Sequence, residues 1–140
     1  MNKRSIHKAL TEASRTLLAS QPDLFLFTSE THQTEWNITH HFANELHKLF
    51  DGYHCDLDVG KHNLGDRRPD IVIHKRGGHE ANLLVVEVKR SRSDVAGEIE
   101  KIRNWWFPPP LRYRYGAVVV INEGTQPFIA VIPNECCVAI

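Results

Sequence analysis

Two stretches near the start of the chain repeat apolar side chains every three or four positions, which is the spacing of an amphipathic helix. The first stretch spans Ser5 to Ser20 and is ended by Pro22-Asp23. The second spans about Glu35 to Phe50, and Thr34 before it can serve as the N-cap. Its apolar stripe consists of Ile38, Phe42, Leu46 and Leu49. The pattern therefore predicts two helices before any strand.

One acidic residue interrupts the apolar stripe of the second predicted helix. At about 100° per residue, Glu35 lies near the middle of this stripe, whereas Glu45 lies at its edge. An acid on the buried side of a helix needs a partner or a function, because burying a lone charge is costly. A carboxylate in the first turn also stabilises its own helix. Both roles stay open for Glu35.

The rest of the chain reads as short strands separated by turn residues, with one further helix. The predicted strands are Tyr53 to Asp58, Pro69 to His74, Asn82 to Lys89, Tyr115 to Ile121 and Pro127 to Ile132. Ser93 or Asp94 can cap a helix that runs to about Trp106, before three consecutive prolines. The order ααβββαββ indicates an α/β fold with a mixed sheet flanked by helices. We expect a single domain over residues 1–140.

Composition and charge are typical of a folded protein that has no overall charge. Hydrophobic residues make up 41% of the chain, enough for a packed core. The 17 basic and 17 acidic residues cancel, so no overall field attracts nucleic acid or anionic lipid, but residues 61–92 hold 8 basic and 4 acidic residues. No apolar run is long enough for a membrane span or a secretory signal. With Cys55, Cys136 and Cys137 lacking a CxxC spacing, we expect reduced thiols in a cytoplasmic protein.

Candidate chemistry is concentrated in two predicted strands that follow one another. Side chains alternate along a strand, so Glu87 and Lys89 share one face. A short turn lets the two strands pair as a hairpin, which can bring Asp70 near both of them. Carboxylate oxygens are hard ligands that suit Mg²⁺ or Mn²⁺. A lysine beside such an ion can orient or help to deprotonate a bound water.

Pro69-Asp70 followed by Glu87-Val88-Lys89 resembles the motif of the PD-(D/E)XK nuclease superfamily. The stretches RPDIVIHKRG and NLLVVEVK are similar to those of small, stand-alone members of that superfamily. The resemblance covers roughly Thr34 to Ile132, with one helix before the motif and one after it. It implies a restriction-endonuclease-like fold with an αβββαβ core, preceded here by an extra N-terminal helix.

The same resemblance implies roles for individual residues. Asp70 and Glu87 would bind the divalent metal, Mg²⁺ or Mn²⁺, and Lys89 would be the catalytic lysine. Glu35 matches a helix glutamate that many members place near the metal, and Asp56 matches an acid on the strand before the hairpin. Asp58 has the same strand parity as Asp56, so both stay open. The expected reaction is metal-dependent hydrolysis of a phosphodiester in DNA or RNA.

Each of these residues also has a structural interpretation. Asp70 can be a turn acid, and Glu87 can form a buried ion pair with Lys89 that merely satisfies both charges. The alternatives to an enzyme are a module that keeps the nuclease fold and binds nucleic acid or a partner protein without turnover, and a structural α/β domain. The short chain leaves little surface for specificity, which a homodimer or a larger assembly would enlarge.

A second group of residues could contact nucleic acid. The candidates are Arg76, Arg90, Arg112 and Arg114, which would face phosphates. Tyr113 and Tyr115 could stack on bases, and Lys101 lies on the helix after the motif, where some family members place a polar residue near the active site. Such residues more commonly form a solvated surface, and the neutral net charge gives no support to a surface that faces phosphates.

Overall fold

The structure is a computed structural model that describes residues 1–26, 34–57, 68–122 and 124–135; of residues 26, 34 and 35 it describes the backbone alone. The described helices are α1 (Lys3–Ser20), α2 (Asp23–Leu26), α3 (Thr34–His47) and α4 (Val95–Lys101). A 3₁₀ turn (Arg92–Asp94) precedes α4, and a π-helical turn (Ile102–Trp106) continues it. The π-turn is the form in which this rare helix usually occurs, as one turn joined to an α-helix.

Five strands form one mixed sheet in the spatial order β1-β2-β3-β4-β5. They are β1 (His54–Leu57), β2 (Ile71–His74), β3 (Leu84–Lys89), β4 (Tyr115–Val120) and β5 (Phe128–Pro133). β3 and β4 are parallel, and the other three pairs are antiparallel. The parallel pair needs a crossover, and α4 lies in it.

The two faces of the sheet pack against different helices. On one face, the apolar sides of α1 and α3 bury residues such as Leu10 and Phe42 against the strands. On the other face, Ile102 and Trp106 from the turn after α4 cover Val85 and its neighbours. Gly116 permits this close approach, because a Cβ at that position would lie 2.4 Å from Cγ2 of Ile102. Alternate residues of each strand therefore face different cores.

The predicted α/β class, mixed sheet and order of the main elements are confirmed, and the boundaries differ by a few residues. Two helical details differ from the expectation. The helix predicted to run to Trp106 is a composite of 3₁₀, α and π segments. The short helix α2 follows Pro22, since proline ends one helix but is compatible with the start of the next. No helix within the described ranges is both long and apolar enough to cross a bilayer.

Candidate active site

The hairpin of β2 and β3 brings two carboxyl groups together. Ile71 lies opposite Val86 in the antiparallel register, so the next position places Asp70 opposite Glu87. The two side chains are joined by a hydrogen bond. Both belong to the sheet face that α4 covers, because they alternate with residues of the α1/α3 core. The predicted meeting of Asp70 and Glu87 is confirmed.

Asp70 is held in place by the backbone of the neighbouring strand. The amide N–H of Val88 donates to Oδ2 of Asp70 at 2.8 Å. The regular pairing of β2 with β3 ends at Ile71, just after Pro69, which has no N–H of its own. The carboxylate of Asp70 thus accepts a buried backbone donor that would otherwise lack a partner in the ladder. This bond orients Asp70 towards β3.

The surroundings of Glu87 disfavour its charge. Burial, the largest cause, raises the pKa of Glu87 well above its ordinary value, and the charge and hydrogen bond of Asp70 raise it further. The charge of Glu98 acts in the same direction, whereas Lys89 opposes the shift. Two adjacent carboxylates repel when both are ionised, so the pair holds a proton unless a cation replaces it.

Lys89 lies on the same face of β3 and reaches a buried acid on α4. Its Nζ is 3.4 Å from Oε1 of Glu98, whose side chain is only 4% exposed. The same oxygen is 3.2 Å from Nζ of Lys101. One buried carboxylate therefore holds two lysines, with Lys89 on the side of the Asp70–Glu87 pair. A buried charge with two partners of opposite sign is the arrangement expected when an ion is removed from water.

Glu98 is a site residue that the sequence analysis did not identify, although the sequence carried a signal for it. Glu98 lies between Val95 and Ile102 at helical spacing, on the stripe of α4 that faces the sheet. The argument applied to Glu35, that an acid on an apolar stripe needs a partner, applies equally here. Lys101 also contacts Glu98, the acid that holds Lys89, and its expected place near an active site stays a prediction.

Asp56 occupies a separate position on the same sheet face. His74 Nε2 lies 2.6 Å from Oδ2 of Asp56, and the Arg76 guanidinium donates to both carboxylate oxygens, with Nε at 3.0 Å. The hydrogen bond from Arg76, the largest cause, lowers the pKa of Asp56 to about 2. Asp56 lies opposite Val72, two strands away from β3. Strand spacing then separates the Cα atoms of Asp56 and Glu87 by about 12 Å.

Two other predicted or alternative metal ligands, Glu35 and Asp58, have side chains outside the described part of the structure. Glu35 lies in the first turn of α3, and all of Asp58 is outside the described ranges. Within the described ranges, no three His, Cys, Asp or Glu side chains form a group that could hold a metal. The candidate ligands brought together are therefore Asp70 and Glu87, and the roles of Glu35 and Asp58 stay predictions.

The four arginines predicted to face phosphates are in different environments. Arg76 is bound to Asp56, and Arg90 donates through one terminal nitrogen to Oδ1 of Asn122 at 2.6 Å. Arg112 and Arg114 are exposed in the segment before β4. That segment adjoins the start of β3, since Arg114 donates its backbone N–H to Asn82. Arg112 and Arg114 thus lie at the end of the hairpin farther from Asp70.

The expectation that Tyr113 and Tyr115 stack on bases is wrong. Tyr113 is 0% exposed and packs in the core beneath α4, while Tyr115 is 4% exposed and packs on the opposite face. Tyr113 lies before β4, which begins at Tyr115, so the rule that alternate strand residues share a face does not apply to this pair. Trp106 and Phe107, which follow α4, are buried. Cys55 is a free thiol, as expected, and burial raises its pKa to about 12.

No protein-family model matches the chain, and no curated protein or solved structure matches it. The side chains of the site are then the basis for assigning its chemistry. Mg²⁺ is commonly bound by one or two carboxylates together with water and substrate phosphate oxygens. Asp70 and Glu87 fit such an ion, because a divalent cation can replace the proton that keeps the two carboxyl groups together.

Proposed function

We propose that the chain is a metal-dependent phosphodiester hydrolase that acts on nucleic acid, DNA or RNA. The observation that carries this proposal is the hydrogen-bonded pair of Asp70 and Glu87 on adjacent strands. Two carboxyl groups in contact at a buried position repel one another when both are ionised, and a bound divalent cation would offset that repulsion. Lys89 beside the pair adds the positive charge that a phosphoryl transition state requires.

Each residue of the pair has a definite role in this proposal. Asp70 and Glu87 would hold Mg²⁺ or Mn²⁺ with the carboxylate oxygens that otherwise share a proton. When bound, the ion supplies Lewis-acid activation of the phosphate and of a water molecule. Lys89 would orient the attacking water or balance the charge on the phosphate oxygens. Glu98 would hold Lys89 in place, since its carboxylate contacts the lysine ammonium.

The topology supports a restriction-endonuclease-like fold for this proposed enzyme. A helix, α3, leads into the antiparallel strands β1, β2 and β3, and α4 crosses to the parallel strand β4. This is the αβββαβ order that the resemblance of the Pro69-Asp70 and Glu87-Val88-Lys89 motif implies. The α/β class and the mixed sheet stand without that resemblance.

Calorimetric titration with Mn²⁺, paired with a plasmid-nicking assay, tests the proposed function. We expect the wild type to bind the ion and nick DNA, and Glu87→Gln to lose both while keeping its circular dichroism spectrum. Asp56→Asn is the matched control, because it also neutralises a carboxylate on the same sheet face, and it should bind and cut as the wild type does. Equal Mn²⁺ affinity in Glu87→Gln and the wild type would refute the metal site. Binding without cutting of DNA or RNA would favour the non-catalytic alternative.

A further inference from the structure

The exposed side of α1 carries a straight row of cations. Arg4, Lys8 and Arg15 are all exposed. At 3.6 residues per turn they lie within about 40° of one another around the helix axis. They are directly opposite the buried stripe, which contains residues such as Ile6 and Leu10. Their Cα atoms are spaced by about 6 Å and about 10 Å along the axis, so the row spans about three turns.

These cations are not neutralised by the protein. Within the described part of the chain, Arg4, Lys8 and Arg15 take part in no ion pair or side-chain hydrogen bond. Glu12 is exposed on the same helix but is not paired with Lys8 or Arg15 at 4.0 Å. The lysines of the site behave differently, since Lys89 and Lys101 both contact Glu98. In a chain with no net charge, the row is a local concentration of uncompensated positive charge.

The row suits a polyanion better than a lipid surface. A helix that binds a membrane places bulky apolar side chains beside its cations and inserts them among the lipids. In α1, Ile6, Leu10 and Leu17 are 0% exposed because the core uses them, and Leu18 is partly buried against the same core. The exposed side offers His7, Thr11 and Thr16 instead. His7 and Thr16 can donate hydrogen bonds to phosphate oxygens, whereas the Thr11 hydroxyl already donates to the carbonyl of His7. None of these polar side chains inserts into a bilayer.

We propose that the Arg4–Lys8–Arg15 row binds the sugar–phosphate backbone of nucleic acid at a surface separate from the catalytic pair. α1 packs on the sheet face opposite to Asp70 and Glu87. A strand held on α1 is therefore not positioned for cleavage by the same contact, and the row would tether nucleic acid to the protein. This proposal does not require the chain to be a nuclease, because it depends on the charge of α1 alone.

Fluorescence anisotropy with a labelled DNA duplex and a labelled single strand of equal length tests this surface. The assays contain EDTA, so binding through the carboxyl pair is removed. We expect Lys8→Glu/Arg15→Glu to weaken duplex binding at least 10-fold and to make the slope of log K against log salt shallower by about 2. Lys48→Glu/Arg103→Glu has the same change in charge and should stay within about twofold of the wild type. Lys8→Gln/Arg15→Gln, which adds no repulsion of Glu12, guards against misfolding of the first variant.

Three results would overturn the proposal. The first is an equal loss in the α1 variants and in the Lys48/Arg103 control, which would indicate a general charge effect. The second is unchanged affinity in both α1 variants. The third is binding to vesicles with anionic headgroups but to neither DNA. Failure of the proposed enzyme is recognised separately, because Mn²⁺ binding and DNA cleavage are measured on the wild type, whereas DNA binding by the α1 variants is measured in EDTA.

Discussion

The two strands that flank β2 each carry an acid, and the two acids are in opposite electrostatic environments. On β1, Asp56 lies between His74 and Arg76, and its pKa falls to about 2. On β3, Glu87 lies against Asp70, and burial together with the neighbouring carboxyl raises its pKa. Both acids lie on the same face of the same sheet. The difference comes from their partners rather than from the secondary structure that carries them.

The comparison separates a structural acid from a candidate functional one. Asp56 has a cation and a hydrogen-bonding imidazole within the protein, so its charge is compensated without any ligand. The Asp70–Glu87 pair has two acids side by side, and the ammonium of Lys89 is shared with Glu98. An external cation would therefore change the second site far more than the first.

Removing the ammonium of Lys89 should abolish most of the chemistry and leave metal binding in place. We expect Lys89→Gln to slow phosphodiester cleavage about 100-fold or more, since one charged donor at a transition state contributes on that scale. The Mn²⁺ affinity should change only a few-fold because the carboxyl ligands remain. Single-turnover cleavage and calorimetry measure the two quantities. A parallel loss of rate and of metal affinity would contradict the assignment of Lys89.

Metal binding at the carboxyl pair should release protons. The raised pKa of Glu87 means that the ion displaces a proton at neutral pH. Affinity should then rise by up to about tenfold per pH unit until the pair is deprotonated. Calorimetry in buffers of different ionisation enthalpy counts the released protons, and we expect about one per ion. An Mn²⁺ affinity that does not change between about pH 6 and pH 8 would show that the carboxyl ligands are already ionised.

Without metal, the pair should make the folded state less stable as the pH rises. The unfolded chain loses the Glu87 proton near its ordinary pKa of 4.5, whereas the folded chain keeps it to higher pH. The unfolding free energy therefore falls once the pH passes that ordinary value and continues to fall up to the folded pKa. In Glu87→Gln, the fall in unfolding free energy between acid and neutral pH should be smaller by about 1–2 kcal/mol. Urea unfolding in EDTA across the pH range checks it, and an unchanged slope in the variant would contradict it.

The opposite sign and a smaller effect are expected for Asp56. Its lowered pKa stabilises the folded state above the ordinary value of 3.8, and this contribution is lost as the pH falls towards 2. Because Arg76 is mostly exposed, we expect Asp56→Asn to cost only about 1 kcal/mol at neutral pH. Urea unfolding of the variant at neutral and acid pH is the measurement. A cost that persists below the folded pKa would show that packing, not charge, is responsible.

The sequence predicted the hairpin because its signals were local. Alternation along β3 placed Glu87 and Lys89 on one face, and a short turn allowed Asp70 to come near both. The partners of Asp56 could not be assigned in that way. His74 reaches Asp56 across a strand pair, and Arg76 reaches it from the turn that follows β2. Contacts of this kind depend on register, which periodicity alone leaves undetermined.

The burial of Tyr113 and the contact of Glu98 with Lys89 both depend on how α4 packs on the sheet, which the sequence pattern does not give. Tyr113 precedes β4 among arginines, so its surroundings in sequence suggested an exposed ring. The crossover that carries α4 places a helix over that part of the sheet and covers the ring. For Glu98 the helical stripe was visible in the sequence, but its partner Lys89 lies on a strand. Only the packing of α4 on the sheet identifies that contact.

The hydrogen bond from the Val88 amide to Asp70 gives position 70 a structural role in addition to its proposed role as a metal ligand. Asp70 completes the pairing of two strands as well as supplying a candidate ligand, so a substitution without an acceptor also leaves a buried N–H unpaired. Among the described residues, no backbone N–H donates to the Glu87 side chain. If a descendant of the proposed enzyme lost catalysis, we expect position 87 to change first, while position 70 keeps Asp or Asn. Such a descendant would retain only the Pro69-Asp70 half of the motif.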